Sequence, residues 1–137
     1  MATTLALVAA LVVACAGGTD PQRLEPGDCF DVPSGDRIGG VTARACEEPH
    51  RGEVFHRFDA SPPEAAYPTD PEWEEIVYPA CDPVFETYTG TPVGDRTDIE
   101  YRYLVPTADA WSDGDRGVTC FITAPDGSPL QRSYRAP

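Results

Sequence analysis

Lysine and asparagine are missing from the 137-residue sequence altogether, so each of its ten basic residues is an arginine. Those ten face 23 acidic residues, and the formal charge is −13. A field of that sign repels nucleic acid and anionic lipid alike, which excludes a phosphate-binding surface as the main business of the chain. No C-x-x-C pair occurs, so a zinc ribbon and a thioredoxin-like redox motif are excluded. There is no G-x-S-x-G elbow and no glycine-rich phosphate loop. The apolar run that begins at Leu5 ends before Gly17, short of the roughly 20 residues a bilayer-spanning helix needs. No repeat or heptad is found, and a chain of this length is of the size of one domain.

Proline and glycine are abundant, at 15 and 12 residues, which disfavours long helices and favours strands joined by turns. Hydrophobic residues make up 41%, with two Trp, six Tyr and five Phe, enough for a packed core. Leu5 to Val13 has the length of a signal-peptide core, although Met1 to Thr4 carry no Arg or Lys. Val12-Val13-Ala14-Cys15 resembles the bacterial lipobox, in which a small residue precedes an invariant, lipidated Cys. The resemblance implies a signal peptide over 1–14, cleavage after Ala14 and a diacylglyceryl group on Cys15. Residues 15–24 then form the lipidated end and a polar tether, and 25–137 form the folded domain. Two or three acyl chains, at about 0.8 kcal/mol per buried CH₂, hold such a domain to a membrane. The alternative is a plain secretory peptide and a secreted protein.

With Cys15 lipidated, Cys29, Cys46, Cys81 and Cys120 remain, an even number that reads as two disulfides in a small exported chain. Three connectivities are possible. Cys29–Cys46 with Cys81–Cys120 is preferred, because the first closes a hairpin-sized unit and the second pins a helical segment to a late strand.

Gly27 to Val32 alternates apolar and polar and reads as a half-buried strand. The turn Pro33-Ser34-Gly35-Asp36 leads into a second strand over 37–46, weakened at Gly39-Gly40. Glu53 to Phe58 makes a third, with imperfect alternation. Residues 60–69 are a proline-broken loop. Asp70 is expected to cap a helix with Pro71 in its first turn, and Trp73, Ile76, Val77 and Ala80 on one face. Pro79 predicts its end, Asp82-Pro83 the start of a second helix with Val84, Phe85 and Tyr88, and Gly90 its stop. Ile99 to Val105 alternates cleanly, residues 106–114 connect, Val118 to Thr123 reads as a central strand, and Leu130 to Tyr134 as a final edge strand. The sum is α+β: a small antiparallel sheet with one or two short helices, stapled by two disulfides.

Candidate chemistry is sparse. His50, Glu53 and His56 are the nearest thing to a metal constellation, yet strand parity turns Glu53 away from both histidines and helical spacing omits His56. His50 is expected to satisfy turn backbone and His56 to sit on the surface. Asp113 and Asp115 around Gly114 fall short of a calcium loop. Trp73, Trp111 and the tyrosines suit core packing better than a sugar platform. No catalytic residue, metal or cofactor is assigned.

Gly27-Asp28-Cys29-Phe30, then Cys46, Pro49-His50 and Glu53-Val54, then Cys81, Phe85 and Tyr88, then Pro106, Trp111, Gly114-Asp115-Arg116 and Cys120 together resemble the bacterial septum-formation domain family. The resemblance spans about residues 27 to 135. It implies an exported or membrane-anchored, disulfide-bonded domain associated with the division septum, and no established catalytic residue. For those motifs the expectation is a partly buried Glu53–Arg116 ion pair, with His50 and Asp115 completing a structural polar network. The function expected is that of a non-enzymatic lipoprotein on the outer face of the cell membrane. Its partners are the membrane, through the lipid anchor, and a protein or wall component of the envelope, and not nucleic acid. The alternatives are an envelope hydrolase or metal-dependent enzyme using His50 and nearby carboxylates, and a small ligand-sensing or inhibitor domain.

Overall fold

The computed structural model describes residues 19–31, 40–62 and 66–137. The expected signal peptide, the lipidation site Cys15 and the turn over 33–36 lie outside the described residues. A 3₁₀ turn at Pro21–Arg23 precedes five strands: β1 (Cys29–Asp31), β2 (Thr42–Arg44), β3 (Gly52–Asp59), β4 (Glu100–Leu104) and β5 (Gly117–Thr123). They form one antiparallel sheet in the order β2-β1-β3-β5-β4. The apolar β5 is thus an interior strand, as its composition predicts. The second strand is shorter than the sequence suggests and exposed along its described length.

Helix α1 (Asp70–Thr89) runs without interruption for 20 residues, where Pro79 and Pro83 predict two short helices. The prolines remove the bonds their nitrogens would make to the carbonyls of Glu75 and Pro79. Both prolines are exposed, on the solvent side of the helix, where water takes up freed carbonyls. The opposite face buries Trp73, Val77, Cys81, Phe85 and Tyr88 against the sheet, and this burial outweighs the two lost bonds. Thr69, not Asp70, is the N-cap, with its N–H and its hydroxyl both 2.7 Å from Glu72 Oε2. Gly90 closes the helix at φ +74°, a left-handed position that favours glycine.

The connector over 106–114 contains a helix that the sequence did not predict, α2 (Ala108–Ser112), capped by the Thr107 hydroxyl on Ala110 N–H. The expected edge strand at 130–134 does not form. Only Leu130 bridges, to His50, and Ser133 and Tyr134 bond to the Glu53 side chain instead.

One core lies between α1 and the sheet and holds Phe55, Val118, Cys120 and Ile122. A smaller one on the other face joins Leu24, Phe30, Val41 and Val54. A bulge between Val54 and His56 explains the imperfect alternation of the third strand. Glu53 opposes Ile122 before the bulge and His56 opposes Cys120 after it, both partners belonging to the helix-side core. Disulfides join Cys29 to Cys46 and Cys81 to Cys120, with Cα separations of 5.2 and 6.6 Å. This is the preferred connectivity of the three.

Candidate functional site

Glu53 is 0% exposed, set on β3 opposite Cys29 of β1 and beneath α1. A carboxylate out of water needs hydrogen-bond donors, and three are present. Tyr88 Oη and Ser133 Oγ each donate to Oε1 over 2.7 Å, and the Tyr134 N–H donates to Oε2 over 2.9 Å. The carboxylate thereby ties the helix and the C-terminal segment to the sheet. Burial, and then the bond to Glu53, push the Tyr88 phenol well above its usual range.

His50 is also fully buried, and its backbone pairs in both directions with Leu130. Its Nδ1 lies 2.7 Å from the Glu48 carbonyl oxygen. That oxygen can only accept, so Nδ1 carries a proton, and in the neutral ring Nε2 is the acceptor. Nε2 is buried and has no hydrogen-bond partner. A ring nitrogen of His50, Sγ of Cys29 and a carboxylate oxygen of Glu53 all lie within 4.8 Å of one another.

The expected polar network is corrected by this geometry. Glu53 pairs with Tyr88, Ser133 and Tyr134, whereas Arg116 serves its own turn. Its Nη1 donates to the Trp111 and Asp115 carbonyls over 2.7 and 2.8 Å, and its guanidinium stacks 3.7 Å from the Trp111 ring centroid. Asp115 accepts from the Gly117 N–H at 2.9 Å. Short-range partners took Arg116 and Asp115, and α1 brought a phenol to Glu53 that the sequence did not foreshadow. His50 does satisfy turn backbone, as expected. His56 is only half exposed and stacks on Phe58 at 5.5 Å, and burial lowers its pKa. Trp73 and Trp111 pack edge to face at 5.6 Å inside the core, so they form no open platform.

An open groove of about 460 Å³ runs beside the middle of α1, with Tyr78, Asp82, Phe85, Val93 and Tyr101 among its walls. Tyr78 and Val93 are 42% and 46% exposed, two of the most exposed large apolar side chains described. Tyr78 stands 6.4 Å from Tyr101 and 6.3 Å from Tyr103, both edge to face. Asp82 accepts the Tyr101 hydroxyl. Burial, and then the charges of Glu74 and Asp82, raise the Tyr78 pKa, while burial, then Tyr78, Glu74 and Asp70, raise that of Tyr103. The arrangement is a tyrosine cluster beside the carboxylates of Asp82 and Glu100, with the one cation on the described wall, Arg96, paired to Asp98. These residues carry no motif, and only the pairing of β4 with β5 beside the helix reveals them.

The model of the septum formation family matches residues 26–136. The chain belongs to that family. The septum formation match covers every strand and both helices, and its Cys29, His50 and Glu53 are the residues gathered in the buried cluster. No curated protein and no solved structure matches the chain. Membership of the septum formation family links it to the division septum.

Proposed function

We propose that this septum formation domain is a non-enzymatic, extracytoplasmic lipoprotein module that binds an envelope protein near sites of division. In this reading Cys15 carries the lipid and holds the domain to the outer face of the membrane. Two disulfides support an oxidising compartment. Among the described residues no helix is long and apolar enough to cross a membrane. His50 and Glu53 serve packing in this reading, since both are enclosed and a substrate could reach neither without rearrangement.

The observation that carries the binding role is the groove around Tyr78. Aromatic faces attract cations, and the surrounding carboxylates strengthen that attraction. The partner that fits is a segment bearing exposed Arg or Lys. Weaker binding at high salt is a corollary, because the groove is open to solvent.

Two measurements test the reading. Mass spectrometry of the mature chain should show cleavage after Ala14 and acylation of Cys15, and an intact leader would overturn the anchor. A photo-crosslinker at Val93 should trap an envelope protein in living cells. Tyr78→Ala in that background should cut the yield about fivefold, the equivalent of one exposed cation–π contact. Unchanged capture would overturn the groove as the binding surface.

A further inference from the structure

We propose that the Cys29–Cys46 disulfide masks a divalent-metal site, which opens on reduction and takes zinc or a cation of similar preference through Cys29, Cys46, His50 and Glu53.

Five observations converge on it. Cys29, His50 and Glu53 offer a sulfur, a nitrogen and an oxygen that lie within 4.8 Å of one another. Ligands on a tetrahedral zinc stand about 3.5 Å apart, so closure asks for little more than an ångström. Cys46 is bonded to Cys29, so a second sulfur lies beside the first, just outside that group. It sits on a half-exposed turn at the surface, where a reductant can reach it and from which the sulfur can swing.

His50 is prepared for ligation. A metal-bound histidine donates its far N–H to a carbonyl or carboxylate, which fixes the tautomer and aims the lone pair. Here Nδ1 meets the Glu48 carbonyl at 2.7 Å, and the buried Nε2 has no partner. A buried acceptor without a donor is uncommon in a folded chain, and a cation would satisfy it. Glu53 spends both acceptor positions of Oε1 on Tyr88 and Ser133 but only one of Oε2 on Tyr134, so one position remains. Two thiolates, an imidazole and a carboxylate form a donor set suited to zinc.

The chemistry balances with a dithiol or phosphine reductant. A dithiol passes two electrons to the S–S bond, yielding two thiols here and a disulfide on the reductant. A phosphine with water does the same and becomes a phosphine oxide. The two thiols then release two protons as their thiolates bind the cation. While the bond is intact neither sulfur is a thiolate, and the site stays closed.

Cobalt(II) is the probe. The full chain in detergent, reduced with a phosphine without oxygen, should bind one equivalent, with a thiolate charge-transfer band and the strong visible bands of tetrahedral cobalt. One equivalent of zinc should erase both. The oxidised chain should bind none. His50→Gln keeps all the sulfurs and should weaken binding at least about tenfold, the loss typical when a metal site is disturbed. Cys29→Ser with Cys46→Ser, which leaves Cys81 and Cys120, should abolish the signal. Absence of binding to the reduced wild type overturns the proposal. So does a spectrum and affinity unchanged in His50→Gln, since thiols of an unfolded chain would behave that way.

Discussion

Tyr88 Oη donates a 2.7 Å hydrogen bond to the buried carboxylate of Glu53, joining the last turn of α1 to the central strand across 35 positions of sequence. Hydrogen bonds to buried charges are among the stronger ones, so Tyr88→Phe should cost about 1.5–3 kcal/mol in urea unfolding. The same bond shapes alkaline behaviour. The phenol pKa is raised in the folded state, by burial first and Glu53 second, so its contribution is whole below the ordinary value of 10.0 and is lost as pH rises above it. Wild-type stability should decline in that range, and Tyr88→Phe should decline less steeply.

Gly52 faces Phe30 across the β1–β3 ladder, and a Cβ on it would stand 2.7 Å from Cε1 and 2.9 Å from Cε2 of that ring. Phe30 is fully buried and packs edge to face on Phe121 at 5.4 Å, which leaves it no room to retreat. Gly52→Ala should cost about 1–3 kcal/mol, the usual range for overpacking. A thermal midpoint equal to that of wild type would show that the ring can move.

The disulfides should differ in worth. Chain entropy assigns about 3 kcal/mol to Cys29–Cys46, which closes 17 residues, and about 4 kcal/mol to Cys81–Cys120, which closes 39. Cys81 and Cys120 are also fully buried under the helix, so their loss opens the larger core. Paired Cys→Ala variants should rank in that order in chemical denaturation.

Acid should weaken the start of α1. The backbone N–H of Thr69, and then its hydroxyl, hold the Glu72 carboxyl below its ordinary value. A depressed folded pKa gives stability above the ordinary carboxylate range that is lost as pH falls through it. The difference in thermal midpoint between wild type and Glu72→Gln should therefore shrink from pH 7 to pH 3. A constant difference would mean that the exposed cap contributes nothing through its charge.

Much of the sheet was legible because its signals are local. Ile99 to Val105 alternates at period two, and Val118 to Thr123 is mostly apolar and β-branched, so burial on one or both faces follows directly. The helix was misread because proline rules describe a helix alone, whereas α1 is held by Trp73, Val77, Cys81 and Phe85 against the sheet, with its prolines turned to water. The last strand was misread because Ser133 and Tyr134 resemble strand residues but bond to Glu53. The ion pair failed for a related reason: opposite charge suggested Arg116 for Glu53, but Trp111 lies five residues from Arg116 and reaches it first.

Composition and order along the chain settled the class of fold, the family resemblance and the preferred pairing of four cysteines, since these depend on residue type, spacing and turn chemistry. Which donors surround Glu53, why the buried His50 keeps an unpartnered nitrogen, and how Tyr78 meets Tyr101 in a groove beside Asp82 were decided in three dimensions. Contacts between residues tens of positions apart arise from packing a helix on a bulged sheet, and a one-dimensional pattern carries no record of that geometry.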